Sequence, residues 1–206
     1  MIERPILFQG RLVRALLADR KTETRRCGPM AARWLRAEAG DILWVREAWA
    51  PMCRVRDPTC FCDGEERTKN HYIEYRADTE NPRPGDWPPE KDPDAPRWRP
   101  AIHMPRTAAR IFRVLVEKPW LEGIQEITEA GARAEGVKPL GAEEFGGILK
   151  QSATGEGFHG SEGMAFVTAR LAFEDLWNSI NRVRGFGWDT KTPVVVLRFK
   201  KVDNGR

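Results

Sequence analysis

The first half of the chain alternates short apolar runs with a basic helix and a polar segment. Residues 6–8 are apolar and predict an opening strand, and residues 11–20 carry leucines at helical spacing with arginines on the opposite face. Residues 21–26 combine charged and hydroxyl side chains, which predicts a loop. A Gly-Asp pair at residues 40–41 marks a turn before an apolar strand over residues 42–46.

The second half contains two helix patterns and two strand patterns. Residues 108–117 alternate well enough to predict a long strand. Thr128 can cap a short helix that Gly136 would end. Residues 165–181 predict an amphipathic helix, and the apolar run at residues 193–199 predicts a closing strand.

Two stretches of biased composition interrupt these patterns. Residues 51–97 are rich in proline and residues 140–163 in glycine, so both predict loop-rich insertions. Within the first of them only residues 71–76 predict a strand. Short strands with two or three helices and no βαβ alternation favour an α+β fold or a small barrel. A length of 206 residues fits one domain, residues 1–206, that carries both insertions.

Charge is uneven along the chain, although the net value is only +4. Residues 11–36 contain many basic side chains against only Asp19 and Glu23. The basic residues there are Arg11, Arg14, Arg20, Lys21, Arg25, Arg26, Arg33 and Arg36. A cluster of this kind attracts anions, of which nucleic acid is the commonest large one. An arginine-rich surface that only contacts solvent is the alternative.

The N-terminal residues do not resemble a signal peptide, because an acid and a proline occur early and no long apolar region follows. No apolar run reaches the roughly 18 residues of a membrane span. The sequence therefore predicts a cytoplasmic protein without a membrane partner. We expect its four cysteines to be reduced there.

The basic segment resembles the hallmark of the ASCH superfamily, Gly-x-Lys-x-x-Thr-x-Arg. Asp19 stands where the glycine is usual, and Lys21, Thr24 and Arg26 fill the other three positions. The remaining blocks of resemblance are residues 40–49, 98–106 and 173–181 and the closing strand. The block at residues 98–106 is similar to phage-borne and prophage-borne members of the superfamily.

The resemblance implies a PUA-like small β-barrel with flanking helices, and a protein that binds RNA or acts on it. One branch of the family consists of N4-acetylcytidine amidohydrolases. They use a lysine and a threonine of this segment and a glutamate in a later helix. Lys21 and Thr24 match directly, and Glu135 matches because it follows the Ile-Thr-Glu block at residues 127–129 by six residues. The resemblance therefore assigns catalysis to these three residues.

Other residues of the same blocks are candidates for contact with RNA, a nucleotide or a modified nucleoside. They are Arg20, Arg25, Arg26, Arg46, Trp49, His103 and Arg106. Tryptophan can stack on a base, but most aromatic side chains pack in the core. Trp44, Trp177 and Trp188 are predicted to be core residues.

The three candidate catalytic residues suit amide cleavage if the lysine can lose its proton. A hydroxyl such as that of Thr24 needs a base to become a nucleophile. Burial and neighbouring arginines lower the pKa of Lys21, whereas a close Glu135 carboxylate raises it, and the sequence leaves the balance open. The alternative is a binding site in which Lys21 and Arg26 hold a phosphate and Thr24 bonds only to backbone.

The cysteines allow a metal site. Cys53, Cys60, Cys62 and His71 lie in one insertion, and zinc binds thiolate and imidazole, although a Cys-x-Cys pair departs from the usual spacing. The alternative is a protein without a cofactor. Cys27 follows the basic segment, so its thiol is either activated by arginines or an inert small side chain.

Three classes of function remain open from the sequence. The first is an amidohydrolase, or a ribonuclease, that acts on RNA or a modified nucleoside. The second is a module that binds RNA or a nucleotide without chemistry, and the third is a phage accessory protein that docks a protein partner through the insertions.

Overall fold

A computed structural model gives the structure of the protein over residues 1–53, 71–79, 98–140, 156–161 and 164–202. The strands are β1 (Glu3–Leu7), β2 (Glu23–Arg26), β3 (Ile42–Arg46), β4 (Trp49–Cys53), β5 (His71–Tyr75), β6 (Phe112–Leu115), β7 (Trp120–Gly123), β8 (Phe158–His159), β9 (Ala165–Phe166) and β10 (Pro193–Lys201). The α-helices are α1 (Gly10–Leu17), α2 (Glu129–Ala134) and α3 (Ala169–Asn181). The predicted α+β class is therefore confirmed. Among the helices of these residues, none combines the length and the apolar composition that a membrane span requires.

The main sheet is organised around its longest strand, β10. Its strand order is β1-β3-β6-β10-β2, and β7 also pairs with β10. The strands β2, β6 and β7 all run antiparallel to β10, which aligns Leu197 with Thr24 and Arg198 with Glu23. This order has two ends, so the strands of the described residues do not close into a barrel. The PUA-like barrel stays a prediction.

The prediction of a loop at residues 21–26 is wrong, because β2 occupies residues 23–26. A segment without apolar residues gives no strand signal of its own. Its backbone hydrogen-bond partners come instead from β10, which lies far along the chain.

Three predicted elements exist but are shorter than expected. Helix α1 ends at Leu17 rather than at residue 20, and Asp19 adopts a positive φ of 52° just beyond it. Strand β6 starts only at Phe112, because a 3-10 turn occupies residues 106–108. Helix α3 begins at Ala169 rather than at residue 165, where the Thr168 side chain caps it.

The short helix α2 forms as predicted. The Thr128 hydroxyl accepts a hydrogen bond from the Gly131 amide at 3.0 Å, and Gly136 follows the helix with a φ of 91°. A capped start and a left-handed glycine end fix both termini. Glu135 is the residue between the helix and this glycine, so its position is defined by both.

The described residues divide into two compact units. The first unit comprises residues 1–4, 15–43 and 112–206, and the second comprises residues 5–14 and 44–111. Each unit has a buried apolar cluster. In the first unit it includes Ile124, Ile127, Phe158, Phe173, Trp177, Trp188, Val194 and Val196. In the second it consists of Trp49, Met104 and Ala108. Trp44, Trp177 and Trp188 are buried as predicted.

Candidate functional site

Lys21 and Glu135 are placed opposite each other by backbone contacts at the ends of two helices. The amide of Lys21 donates to the carbonyl of Ala15 at 3.2 Å, and Lys21 forms an isolated β-bridge with Glu135. A Cβ added at Gly136 would lie 2.8 Å from Ala15 Cβ and 2.9 Å from Lys21 Cβ. The close approach of these two segments therefore requires glycine at position 136.

The side chains of this pair form a buried ion pair. Lys21 Nζ donates to Glu135 Oε2 at 2.5 Å and to the Glu135 carbonyl oxygen at 2.9 Å. Lys21 is 1% exposed and Glu135 is 4% exposed. Two of the three predicted catalytic residues are thus in direct contact although 114 residues separate them.

Burial decides the protonation balance of Lys21 that the sequence left open. Removal from water lowers the pKa of the Lys21 ammonium most strongly, Glu135 raises it, and Arg26 and Arg25 lower it further. The net pKa lies below the ordinary value of 10.5. This lysine releases its proton more easily than a lysine in water.

Arg25 extends the ion pair into a larger network. Its Nη1 donates to Glu135 Oε1 and to Glu23 Oε2, both at 3.3 Å, and its Nε donates to Glu122 Oε1 at 2.6 Å. Burial opposes the Arg25 charge, but the three glutamates together raise its pKa, so it stays protonated. Arg198 Nε also donates to Glu23, at 2.7 Å.

We call this network the glutamate cluster. Its members are Lys21, Glu23, Arg25, Glu122, Glu135 and Arg198. Arg198 also pairs with Glu117 at 2.7 Å, so every cation of the cluster has at least one carboxylate partner. Glu23, Glu122 and Arg198 were not predicted. The two-residue spacing of Glu23 and Arg25 could have indicated a shared strand face, but Glu122 and Arg198 give no local signal.

Thr24 lies on the other face of β2. Side chains alternate along a strand, so Thr24 and Arg26 project away from the face that carries Glu23 and Arg25. Thr24 is 3% exposed. Within the described residues, the hydrogen bonds that join Lys21, Glu135 and Arg25 do not include the Thr24 hydroxyl. The structure therefore brings two of the three predicted catalytic residues together and places the third on the neighbouring face.

A second group of basic residues surrounds Arg26, and we call it the arginine cluster. Its members are Arg26, Arg33 and Arg184. Burial lowers the pKa of Arg26 to about 10; Glu135 opposes this, while Arg33 and Arg184 lower the pKa further by repulsion. Arg33 and Arg184 were not predicted as site residues, because they lie outside the blocks of resemblance.

Cys27 borders the arginine cluster. Asn181 Oδ1 accepts hydrogen bonds from Cys27 Sγ at 3.5 Å and from Arg184 Nη1 at 3.2 Å. Burial raises the pKa of the Cys27 thiol more than Arg184 and Arg26 lower it. This balance favours the inert reading of Cys27 over the reactive one.

The other predicted binding residues are distributed over both units. Arg20 is half-buried in the first unit. In the second unit, Arg46 donates to the Ile102 carbonyl at 3.1 Å and lies over the Trp44 ring at 4.6 Å. His103 and Arg106 are exposed. They remain candidates for contact with a ligand.

Trp49 belongs to the packed cluster of the second unit. It is 7% exposed, packs with Met104 and Ala108, and has the Arg99 guanidinium 5.2 Å from its ring centroid. These contacts make Trp49 a packing residue in this structure. Stacking of a base on this ring stays a prediction.

The predicted zinc ligands fall largely outside the described residues. Cys60 and Cys62 lie there, and the backbones of Cys53 and His71 pair across β4 and β5. In the part of the chain that the structure describes, no group of three or more metal-binding side chains occurs. The zinc site is therefore still a prediction.

Comparison of the chain with protein-family models, curated proteins and solved structures gave no match.

Proposed function

We propose that the protein is an ASCH-type, PUA-like enzyme that processes RNA or a modified nucleoside, and that it hydrolyses the amide of N4-acylated cytidine. The observation that carries the proposal is the buried contact of Lys21 with Glu135, in which the pKa of the lysine is lowered. An amine with a lowered pKa next to a carboxylate is a suitable pair for proton transfer.

The reaction requires a proton to move from the nucleophile to the leaving amine. In the proposed order, neutral Lys21 takes the proton of an attacking hydroxyl, whose oxygen bonds to the acyl carbon. The carbon–nitrogen bond then breaks, and the lysine, held by Glu135, returns the proton to the N4 amine. If Thr24 is the nucleophile, water releases the acyl group from it as the carboxylic acid in a second step.

The assignment of Thr24 needs a test separate from that of Lys21, because the two side chains do not share a hydrogen bond here. A water molecule activated by Lys21 would give the same products without an acyl-enzyme. Thr24→Val removes the hydroxyl, keeps the shape of the side chain and leaves the glutamate cluster intact. Thr22→Val is the matched control, because Thr22 is exposed and two residues away.

The primary experiment is release of acetate and cytidine from N4-acetylcytidine by the full chain. We expect turnover by the wild type and a loss of about 100-fold or more in Lys21→Met, the scale of one general base. Circular dichroism checks that the variant is folded. Absence of turnover in the folded wild type, or full activity in folded Lys21→Met, would refute the proposal.

A second function is favoured because Lys21 and Glu135 already bond to each other in the free protein. Lys21 Nζ already bonds to two oxygens of Glu135, and Arg25 and Arg198 already have carboxylate partners without a ligand. These contacts fit a module that binds RNA without chemistry and uses the cluster only as support. Such a module would bind single-stranded RNA with an affinity that falls steeply with salt, and acetate would not be released.

A further inference from the structure

Arg25 lies at the centre of the glutamate cluster, because it holds one oxygen of each of the three carboxylates. The Oε1 atoms of Glu122 and Glu135 and the Oε2 atom of Glu23 accept hydrogen bonds from its guanidinium. The second oxygen of each carboxylate accepts from a different donor. Those donors are Trp120 Nε1 for Glu122, Lys21 Nζ for Glu135 and Arg198 Nε for Glu23. Each carboxylate is therefore held at both oxygens, and Arg25 is the partner that all three share.

The guanidinium of Arg25 packs against the helix that positions Glu135. A Cβ added at Gly131, within α2, would lie 3.0 Å from Arg25 Nη2, so the absence of a side chain at this position makes room for the arginine. On its other side Arg25 Nε donates to Glu122 of β7 at 2.6 Å. Arg25 thus connects the main sheet to the helix that ends next to Glu135.

The sequence placed Arg25 among the residues expected to contact a ligand, but its surroundings indicate an internal role. Its side chain is 3% exposed, and both Nε and Nη1 donate to carboxylates of the protein. A side chain enclosed in this way acts on a reaction only through its neighbours. Among the residues predicted to be catalytic, the neighbour to which it bonds is Glu135.

Sharing of the Glu135 carboxylate has two consequences for Lys21. The hydrogen bond from Arg25 to Oε1, at 3.3 Å, restricts rotation of the carboxylate, so Oε2 stays directed at Lys21 Nζ. The positive charge of Arg25 also offsets part of the attraction that Glu135 exerts on the Lys21 ammonium. Burial is the largest cause of the low pKa of Lys21, and the charges of Arg26 and Arg25 act in the same direction, against Glu135.

We propose that Arg25 is a positioning residue for the pair of Lys21 and Glu135, which holds the Glu135 carboxylate in the direction of Lys21 and offsets part of its charge. A guanidinium suits this task, because its forked N–H donors bond to several carboxylates in fixed directions and it keeps its proton. The effect of Arg25 on the pair does not depend on the proposed function, whereas the use of the pair in hydrolysis rests on it.

The test is a titration of Lys21 in the full chain by NMR of ¹³C-labelled lysine side chains, with Lys21→Met to assign the signal. In Arg25→Gln the pKa of Lys21 should rise above that of the wild type, because Glu135 then attracts the ammonium without an opposing charge from Arg25. Arg25→Lys keeps a positive charge and should return the titration toward that of the wild type. An unchanged titration in folded Arg25→Gln, or a shift in Arg25→Lys as large as that in Arg25→Gln, would overturn the proposal.

Arg198→Gln is the matched control, because it removes a positive charge from the same cluster. Among the described residues, the carboxylate partners of Arg198 are Glu23 and Glu117. The pKa of Lys21 should therefore shift less in Arg198→Gln than in Arg25→Gln. Equal shifts would mean that the total charge of the cluster matters and the contact with Glu135 does not, which contradicts a positioning role.

Circular dichroism checks that Arg25→Gln is folded. If it is not, the double variant Arg25→Gln with Glu122→Gln removes the cation together with the carboxylate nearest to it and keeps the net charge. The pKa of Lys21 should rise in this variant as well. Loss of the fold in both variants would assign Arg25 to the stability of the protein alone and would also overturn the proposal.

Hydrolysis of N4-acetylcytidine gives a second measurement, which separates this proposal from the proposed function. Arg25→Gln should lower kcat by about tenfold or more, the scale of a slightly misplaced catalytic group, with KM nearly unchanged because Arg25 does not reach the substrate. A raised pKa of Lys21 in Arg25→Gln, without acetate release by the wild type, leaves the positioning role and refutes the enzyme. Acetate release by the wild type, with an unchanged Lys21 titration in Arg25→Gln, refutes the positioning role and leaves the enzyme.

Discussion

The two faces of β2 carry arginines in opposite surroundings. On one face Arg25 meets Glu23, Glu122 and Glu135 within hydrogen-bond distance. On the other face burial lowers the pKa of Arg26, Arg33 and Arg184 lower it further, and Glu135 raises it. Adjacent arginines of one short strand therefore have pKa values shifted in opposite directions, up for Arg25 and down for Arg26.

This contrast shows that burial and carboxylate partners act in opposite directions on a buried cation. A buried charge is tolerated when partners replace water, and the loss of one partner leaves the other uncompensated. The glutamate cluster follows this rule, since its buried cations all have carboxylate partners.

The first prediction removes a carboxylate from the glutamate cluster. Glu135→Leu removes the partner of a fully buried Lys21 and one of three partners of Arg25. We expect the free energy of unfolding to fall by about 3–5 kcal/mol, the usual cost of an unpaired buried charge. Urea denaturation measures it. The double variant Lys21→Met with Glu135→Leu should recover a large part of the loss, and a double variant no more stable than Glu135→Leu contradicts this account.

The second prediction concerns the close backbone approach that brings the ion pair together. Gly136→Ala should destabilise the protein by about 1–2 kcal/mol through its positive φ and by a further 1–3 kcal/mol, roughly, through overlap with Ala15 and Lys21. Gly40→Ala is the control, because Gly40 has a φ of 89° but an added Cβ there meets nothing within 4 Å. Equal losses in both variants, measured by urea denaturation, would show that the overlap is relieved without cost.

The third prediction uses the lowered pKa of Lys21. Between that lowered pKa and 10.5, the unfolded chain keeps a proton that the folded chain has lost, so the free energy of unfolding rises with pH. Below the lowered pKa both states are protonated, and the full cost of the buried charge remains. Lys21→Met should flatten the rise, which denaturation at a series of pH values would show. Measurements stay at least about one pH unit below 10, because Arg26 has a pKa of about 10 and titrates in the same direction.

Parallel pH profiles of wild type and Lys21→Met would mean that burial does not lower the pKa of Lys21. The glutamate cluster would then stabilise a charged lysine at every pH. The proton-transfer role in the proposed function would lose its physical basis.

The sequence predicted those parts of the fold whose signals are local. The apolar run at residues 42–46 forms β3, and Thr128 and Gly136 delimit α2 as expected. Strand β2 was missed because its residues are polar and its partner β10 is distant in the sequence. Helix α3 begins late because residues 165–166 pair with β8 and Thr168 then caps the helix, and hydrophobic spacing predicts neither.

The residues of the candidate site were also only partly predictable from the sequence. The resemblance indicated Lys21 and Glu135, and the structure brings them into contact. Arg184 gave no signal, because its proximity to Arg26 depends on the packing of Gly28 on Phe186. Side chains alternate between the two faces of a strand, so Thr24 and Arg25 would have been assigned to opposite faces if residues 23–26 had been predicted as a strand.

The last prediction concerns the face of β2 that carries Arg26, where the effect on stability should be smallest. Arg184→Gln loses the contact with the Phe186 ring but keeps an amide that can donate to Asn181. The loss of the stacking and the relief of repulsion on Arg26 oppose each other, so the free energy of unfolding should change by no more than about 0.5 kcal/mol. Urea denaturation beside Glu135→Leu gives the contrast directly. A loss above about 1.5 kcal/mol would exceed what an exposed side chain ordinarily contributes, and the arginine cluster would then belong to the fold, like the glutamate cluster on the other side of the strand.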